Sequence, residues 1–252
     1  MKIKMSREDA QQILDTFKTQ HFTNCRNYVT VCKVNPDWVK EILPPPLEPD
    51  EPIVTFALSK GDQFTGLVCG VQCRYQDVVG SFGLAYVMDT ELAVRIGRDG
   101  LGEPKKQGET VVFDDGKKYI GTVSRFGQEL LHIEADIVGP GPEGLGGGPM
   151  DNLHFQYSIK VDGSGLTPVY LLDSHFDNVA TDTLLMENCT VKTTDTPFDI
   201  YGEIPIEEVV ACFAATLEMR GHARYLAEVD PDEFLPYAFF KHDDYRLIVA
   251  KD

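Results

Sequence analysis

The sequence contains two consecutive lysines, Lys105 and Lys106, whose side-chain amines could act as nucleophiles. They follow two glycines and Pro104, which fixes its own φ angle and biases Glu103 toward an extended conformation. Residues 107–113 are predicted to form a strand. A pair of amines is therefore expected at the stiffened start of a strand, in a chain that is otherwise strongly acidic.

A lysine amine attacks a carbonyl only in its neutral form. At a reference pKa of about 10.4, roughly one lysine in 2,500 is neutral at pH 7. A second ammonium about 7 Å away supplies about 2 kcal/mol of repulsion, roughly half of what activation requires, and adjacent strand residues point to opposite faces. A nucleophilic role for Lys105 therefore requires burial. The alternative is a solvated pair at a strand end, as predicted for Lys117 and Lys118.

The run 97–106, Gly-Arg-Asp-Gly-Leu-Gly-Glu-Pro-Lys-Lys, resembles the signature of the acetoacetate decarboxylase superfamily. Segments around 44–52, 66–67, 92–98 and 204–210 agree with that family in order and spacing, so the resemblance covers residues 25–220, approximately. It implies that Lys105 forms a Schiff base with a keto acid and that Lys106 helps to activate it. We therefore predict both lysines to be catalytic.

The sequence departs from the decarboxylase pattern at the two acidic residues that matter in those enzymes. One falls at Gln72 and the other at Ala57, so both carboxylates are lost. A fixed negative charge would help to expel CO2 from a Schiff base, whereas the neutral amide of Gln72 would hold a substrate carboxylate. We predict a role for Gln72 in catalysis, and its identity favours a reaction other than decarboxylation.

Three further residues complete the predicted site. The family arginine falls within one residue of Arg26, although strict register places Cys25 there. We assign Arg26 and Glu103 to substrate binding. Tyr237 is the candidate for proton transfer, because of its residue type and the resemblance of its C-terminal position, and the alternative is a core tyrosine.

Two reactions are compatible with a Schiff base at this site. Decarboxylation of a small keto acid is what the family resemblance implies. The alternative is an aldolase-dehydratase, in which a pyruvate imine loses a methyl proton, adds to an aldehyde and loses water. A second class of function is a barrel that binds a small acidic metabolite without turnover. Retention of two lysines argues against it, because arginine would serve binding better.

Composition limits the partners of the chain. Its 252 residues carry a formal net charge of −17, which argues against nucleic acid or an anionic membrane as a partner. The sequence shows no secretory signal and no apolar run long enough to span a membrane, so we expect a cytoplasmic protein. Cys69 and Cys73 lack a second ligand pair, so we predict neither a metal nor a cofactor. A homo-oligomer is expected from the resemblance.

The alternation of apolar and polar residues predicts ten or more strands and four helices, without the rhythm of a parallel α/β fold. We predict a β-rich α+β fold in a single domain, residues 1–252. The resemblance implies an antiparallel closed or conical β-barrel with peripheral helices. The last predicted helix covers 206–219, with apolar residues at helical spacing, and the glycine-rich stretch 139–149 is predicted to be a loop.

Overall fold

The structure, a computed structural model, describes residues 4–16, 18–62 and 64–242. Within these ranges the helices are α1 (Arg7–Thr16), α2 (Pro36–Ile42), α3 (Glu91–Arg95) and α4 (Pro231–Phe234). The strands are β1 (Gln20–Val34), β2 (Glu48–Lys60), β3 (Thr65–Tyr75), β4 (Val78–Met88), β5 (Lys105–Gln107), β6 (Glu109–Asp114), β7 (Lys118–Arg125), β8 (Gln128–Pro140), β9 (Gly148–Gln156), β10 (Val169–Thr193) and β11 (Ile206–Val229). This confirms the prediction of a β-rich fold with few helices.

All the strands named above join one sheet. Its order is β11-β1-β2-β3-β4-β9-β10-β8-β7-β6, and β5 pairs with β4 at the side of this path. Because β10 also pairs with β11, seven of the described strands form a hydrogen-bonded ring: β11, β1, β2, β3, β4, β9 and β10. The pairings are antiparallel except that β4 runs parallel to β5 and to β9.

The main apolar core lies between one face of the ring and the layer formed by β6, β7 and β8. Phe56 and Leu58 of β2 are fully buried on this face, and the ring of Tyr28 stacks on Tyr119 of β7 at 4.5 Å. Alternate residues of the same strands point to the other side. We call that second side the cavity face, and it is defined by Ala57, Val68, Gln72 and Tyr86 of β2, β3 and β4.

The predicted helix over 206–219 is wrong, because these residues belong to β11. The spacing of Val209, Val210, Phe213 and Leu217 fits a helix, but β11 has strands on both sides, β1 and β10, which bond its backbone along most of its length. Such long-range pairing overrides a local periodicity. The pairing with β11 also extends along most of β10, which is a single strand of 25 residues.

Aromatic residues near the C-terminus pack against strands of the sheet. Phe234 is fully buried, and its ring centroid lies 4.6 Å from that of Phe155 and 5.0 Å from that of Tyr157. Phe240 packs against Phe82 at 5.6 Å, while Tyr245 lies outside the described residues. None of the described helices is long and apolar enough to cross a membrane.

A buried ionic cluster lies on the core side of the sheet. Lys106 Nζ is 3.3 Å from Asp199 Oδ1, and Arg125 Nη1 donates to both carboxylate oxygens of Asp199 at 2.8 Å. At least 97% of each of these three side chains is shielded from solvent. The carboxylate of Asp199 therefore balances buried positive charge and ties β5 to β7.

We expect Asp199→Ala to lower the free energy of unfolding by about 3–5 kcal/mol, because it removes a carboxylate from two buried cations. The matched control is Asp37→Ala, since Asp37 pairs with Lys40 but its side chain is 86% exposed. The control should cost less than about 1 kcal/mol. Urea unfolding of both variants measures the difference, and equal losses would contradict this account of the cluster.

Candidate active site

The two lysines of the Pro-Lys-Lys sequence point to opposite faces of the sheet. In the pairing of β4 with β5, Lys105 is the Cα partner of Tyr86, and Lys106 is the partner of Val87, which lies in the core. Tyr86 in turn pairs with Val68 of β3. Because paired residues share a face, Lys105 lies on the cavity face and Lys106 lies in the core.

The turn before β5 is fixed by backbone contacts. After α3 the chain forms one wide helical turn, Ile96–Gly100, and the Glu103 amide then donates to the Gly97 carbonyl at 3.2 Å. Gly102 adopts φ +70°, and a Cβ there would lie 2.5 Å from the carbonyl oxygen of Phe155. Glycine is therefore required at this position, both for its φ angle and for the close approach to β9.

Lys105 and Glu103 form a largely buried ion pair. Lys105 Nζ lies 2.7 Å from Glu103 Oε2, and the two side chains are 18% and 10% exposed. Gly97 packs directly on the pair, since a Cβ there would lie 1.9 Å from Glu103 Oε2 and 2.7 Å from Lys105 Nζ. The segment thus supplies the amine, the carboxylate and the space that both need.

Two further polar side chains lie beside this pair. His154 of β9 is buried, with Nε2 4.0 Å from Glu103 Oε1, and its ring meets that of Tyr86 edge to face at 5.6 Å. Neither ring nitrogen of His154 has a hydrogen-bond partner among the described residues. No local sequence pattern marks either residue, because each lies inside a strand and only strand pairing brings it close to Lys105.

Burial and charge set the protonation of the cluster. Burial acts to raise the pKa of Glu103, but the charge of Lys105, helped by His154, outweighs it and holds this pKa below its usual value. Burial lowers the pKa of His154 to about 4, against the opposing effect of Glu103. Burial also raises the pKa of Tyr86 well above its usual value. At neutral pH the cluster therefore has an ionised Glu103, a neutral imidazole and a neutral phenol.

A cavity of about 300 Å³ opens on the cavity face. Its walls come from β2, β3, β4 and β9 and include Thr55, Ala57, Val68, Gly70, Gln72, Ser81 and Asn152. Gly83 is the Cα partner of Gly70. His154 and the Tyr86 hydroxyl pack closely against it, because a Cβ at Gly83 would lie within 3 Å of both. The cavity therefore lies on the same face of the sheet as the cluster around Lys105, although the side chains of that cluster do not themselves line it.

Gln72 also lines this cavity. It lies further along β3 than Val68, which pairs with Tyr86, the Cα partner of Lys105. Its side-chain amide donates to Asp50 Oδ2 at 3.2 Å, and Asp50 also accepts from Arg74 Nε at 3.1 Å. The carboxylate of Asp50 therefore lies beside Gln72, although the residue at position 72 is itself not acidic as it is in the decarboxylase pattern. Its charge is offset by the guanidinium of Arg74.

Arg26 and Tyr237 are not brought together with Lys105. Arg26 of β1 lies on the core side, 5.5 Å from the ring of Tyr28, and it donates to the Asp182 carbonyl and, at 3.3 Å, to Thr216 Oγ1. Tyr237 lines a separate cavity of about 460 Å³ together with Trp38, Phe240 and Asp199, the partner of Lys106.

A family model described as acetoacetate decarboxylase (ADC) matches residues 4–228. The chain belongs to this family. It is 29% identical over 108 residues to the acetoacetate decarboxylase of Clostridium acetobutylicum and 30% identical over 105 residues to that of Clostridium beijerinckii. These matches span 40% and 39% of this chain, and 44% and 43% of the relatives, so less than half of each curated enzyme is covered.

Solved structures share the fold over most of the chain. An acetoacetate decarboxylase from Legionella pneumophila superposes with a TM-score of 0.76 at 17% identity, covering 82% of this chain and 87% of the other. The enduracididine biosynthesis enzyme MppR, complexed with pyruvate, gives a TM-score of 0.66 at 16% identity and coverages of 82% and 90%. At these identities the similarity shows a common fold.

His154 makes stability depend on pH in a defined window. Because its pKa is lowered from 6.5 to about 4 by folding, the unfolded chain binds more protons between these values, and stability falls as pH drops from 6.5 to 4. The contribution is on the order of 3 kcal/mol. Urea unfolding at a series of pH values should show a shallower loss in His154→Gln than in the wild type. His132→Gln, a change at a partly exposed histidine, should follow the wild type, and parallel curves for all three proteins would refute the assignment.

Proposed function

We propose that this protein is a lyase that forms a Schiff base between Lys105 and a small keto acid. The observation that carries the proposal is the buried 2.7 Å pair of Lys105 and Glu103 on the cavity face. A lysine that served solubility would lie in water, and one that served packing would bond to the core as Lys106 does. Lys105 instead lies on the face of the sheet that carries the cavity, with a carboxylate and an imidazole in its surroundings.

The residues on this face suggest how the amine is released. Attack on a ketone requires a neutral amine, and Glu103 is positioned to accept a proton from Lys105. Conversion of a buried ion pair into a neutral pair is helped by the exclusion of water. The Lys105 nitrogen then forms a bond to the carbonyl carbon. The carbonyl oxygen leaves as water with one proton from this nitrogen and one from Glu103, and an iminium ion remains.

Decarboxylation is the first route from that iminium ion, in keeping with the family. The electrons of the bond to the carboxylate move toward the iminium nitrogen, CO2 leaves, and the resulting enamine is protonated and hydrolysed to release Lys105. This step gains from a carboxylate that is poorly stabilised. The apolar wall at Ala57 and Val68 supports it, because it offers a carboxylate no hydrogen bonds.

Aldol condensation with loss of water is the second candidate, and Gln72 favours it. A neutral amide faces the cavity where decarboxylases carry an acid, and the nearby charge of Asp50 is offset by Arg74. The reaction also needs groups that remove and return protons, and Glu103 and His154 lie 4.0 Å apart next to the amine. MppR, a protein of similar fold, has a structure in complex with pyruvate, and this supports a substrate of the same class here.

We infer that the seven-stranded ring is the conical barrel implied by the family, and that Lys106 supports the reaction from the core by anchoring β5 through Asp199. The exposed apolar side chains of Val179, Leu185 and Val210 on β10 and β11 support an assembly of several copies. Within a single chain, Arg26 and Tyr237 lie at other places and have no role in this proposed mechanism.

Borohydride trapping tests the nucleophile. Protein incubated with acetoacetate, and separately with pyruvate, should gain one reduced adduct, and peptide mass spectrometry should place it on Lys105. Lys105→Arg keeps the charge but cannot form an imine, so the adduct should be lost, whereas Lys118→Arg, at a half-exposed lysine, should leave it intact. CO2 release with acetoacetate supports decarboxylation, and an adduct from pyruvate alone supports aldol-dehydration. An adduct on another lysine would refute the proposal.

Glu103→Gln tests the proton acceptor. The change keeps the size of the side chain but removes its basicity, so imine formation should slow by about 10²–10⁴-fold. Glu134→Gln alters a carboxylate that lies 3.8 Å from Lys118 in a largely solvated setting, and it should have no effect. Single-turnover trapping rates compare the two variants, and a wild-type rate for Glu103→Gln would exclude this role.

A further inference from the structure

A second cluster of ionisable groups lies on β9 and β10, and one of its members, Asp151, also lies at the edge of the cavity. Asp151 is the Cα partner of His175, and Asp173 is the next residue of β10 on the same side. Each of the three side chains offers a ligand atom, and these atoms lie within 4.8 Å of one another. Asn152 and His154 are the alternate residues of β9 and point to the other face, where Lys105 lies. Asp173 and His175 therefore lie across the sheet from Lys105, and Asp151 is the member of the cluster that reaches the edge of the cavity.

The contacts within the cluster leave one buried oxygen unsatisfied. His175 Nδ1 lies 2.8 Å from Asp151 Oδ1, and Arg224 Nε donates to Asp173 Oδ2 at 2.8 Å. The side chain of Asp173 is fully buried, yet its other oxygen, Oδ1, has no hydrogen-bond partner among the described residues. A buried carboxylate oxygen without a hydrogen-bond donor is costly in free energy, and a bound cation would satisfy it.

A similar group elsewhere in the chain provides a comparison. His132 lies 3.2 Å from Glu129 Oε1 and 3.0 Å from Glu134 Oε1, so it too combines one histidine with two carboxylates. Both of those carboxylates are about half exposed, and water can satisfy them. The feature that sets the β9–β10 cluster apart is therefore the buried Asp173.

We propose that Asp151, Asp173 and His175 bind a divalent metal ion of the zinc class. A mixed set of one imidazole and two carboxylates suits zinc and its neighbours, whereas Mg²⁺ and Ca²⁺ prefer oxygen ligands throughout. His222 of β11, whose ring centroid is 5.4 Å from that of His175, offers a further nitrogen donor. Arg224 has a half-exposed side chain and can turn into solvent when the ion binds.

The position of the cluster suggests a structural role for the ion. The ring closes between β4 and β9 through only two residue pairs, at Ser81 and Phe82, which face Asn152 and Leu153. Asp151 directly precedes this short contact, and a Cβ at Gly80 of β4 would lie 2.6 Å from its carbonyl oxygen. An ion held by Asp151 and β10 would therefore fix β9 next to the weakest pairing of the ring.

Zinc titration of tag-free, chelator-treated protein tests the proposal. We expect one equivalent of ZnCl₂ to bind in a calorimetric titration and to raise the midpoint of thermal unfolding, with MgCl₂ having no effect. His175→Gln and Asp173→Asn should weaken binding by about tenfold or more. His132→Gln is the matched control and should bind as the wild type does. His175 is partly exposed, so its variant keeps the test informative if Asp173→Asn does not fold.

Arg224→Gln separates a metal site from a simple salt-bridge network. If zinc competes with the guanidinium, removing Arg224 should tighten binding by about tenfold or more, because the repulsion between two cations disappears. If the cluster is a salt-bridge network, neither the wild type nor Arg224→Gln will bind one equivalent of zinc. That result, or an equal loss of binding in His132→Gln, would overturn the proposal.

Discussion

The ion pair of Lys105 and Glu103 is the interaction on which the rest of the site depends. It places an amine and a carboxylate 2.7 Å apart in a setting that is largely closed to water. The lack of a side chain at Gly97 and the positive φ of Gly102 are needed to bring the turn against β9, where His154 lies. Each of these features would be costly in a surface turn, and together they hold the Lys105 amine in a setting that is largely closed to water.

Burial acts differently on the two faces of β5. On the core side Lys106 pairs with Asp199, which also accepts a hydrogen bond from Arg125. These contacts anchor β5 to the core. On the cavity side Lys105 has a carboxylate that can take up its proton. Adjacent residues of one strand thus give the two lysines different surroundings, and in the proposed mechanism burial of Lys105, rather than repulsion from Lys106, would favour the neutral amine.

Local signals in the sequence were sufficient to predict the turn before Lys105, but they could not predict which residues surround it. The proline and glycines of 97–106 predicted a fixed strand entry, and the family resemblance, which the family match confirms, pointed to Lys105. The helix predicted over 206–219 failed because the hydrogen bonds from β1 and β10 come from distant parts of the chain. His154 and Asp50 could not be predicted for the same reason, since only strand pairing brings them to Glu103 and to Gln72.

The central claim is that Lys105 carries the substrate on the cavity face, next to Glu103. A crystal structure of the protein after borohydride reduction with pyruvate tests it most directly. The account predicts a covalent bond from Lys105 Nζ, with the trapped fragment in the cavity bounded by Val68, Gly70 and Gln72, and with Glu103 within hydrogen-bonding distance of the nitrogen. A fragment bound to Lys106, to another lysine or in bulk solvent would contradict it.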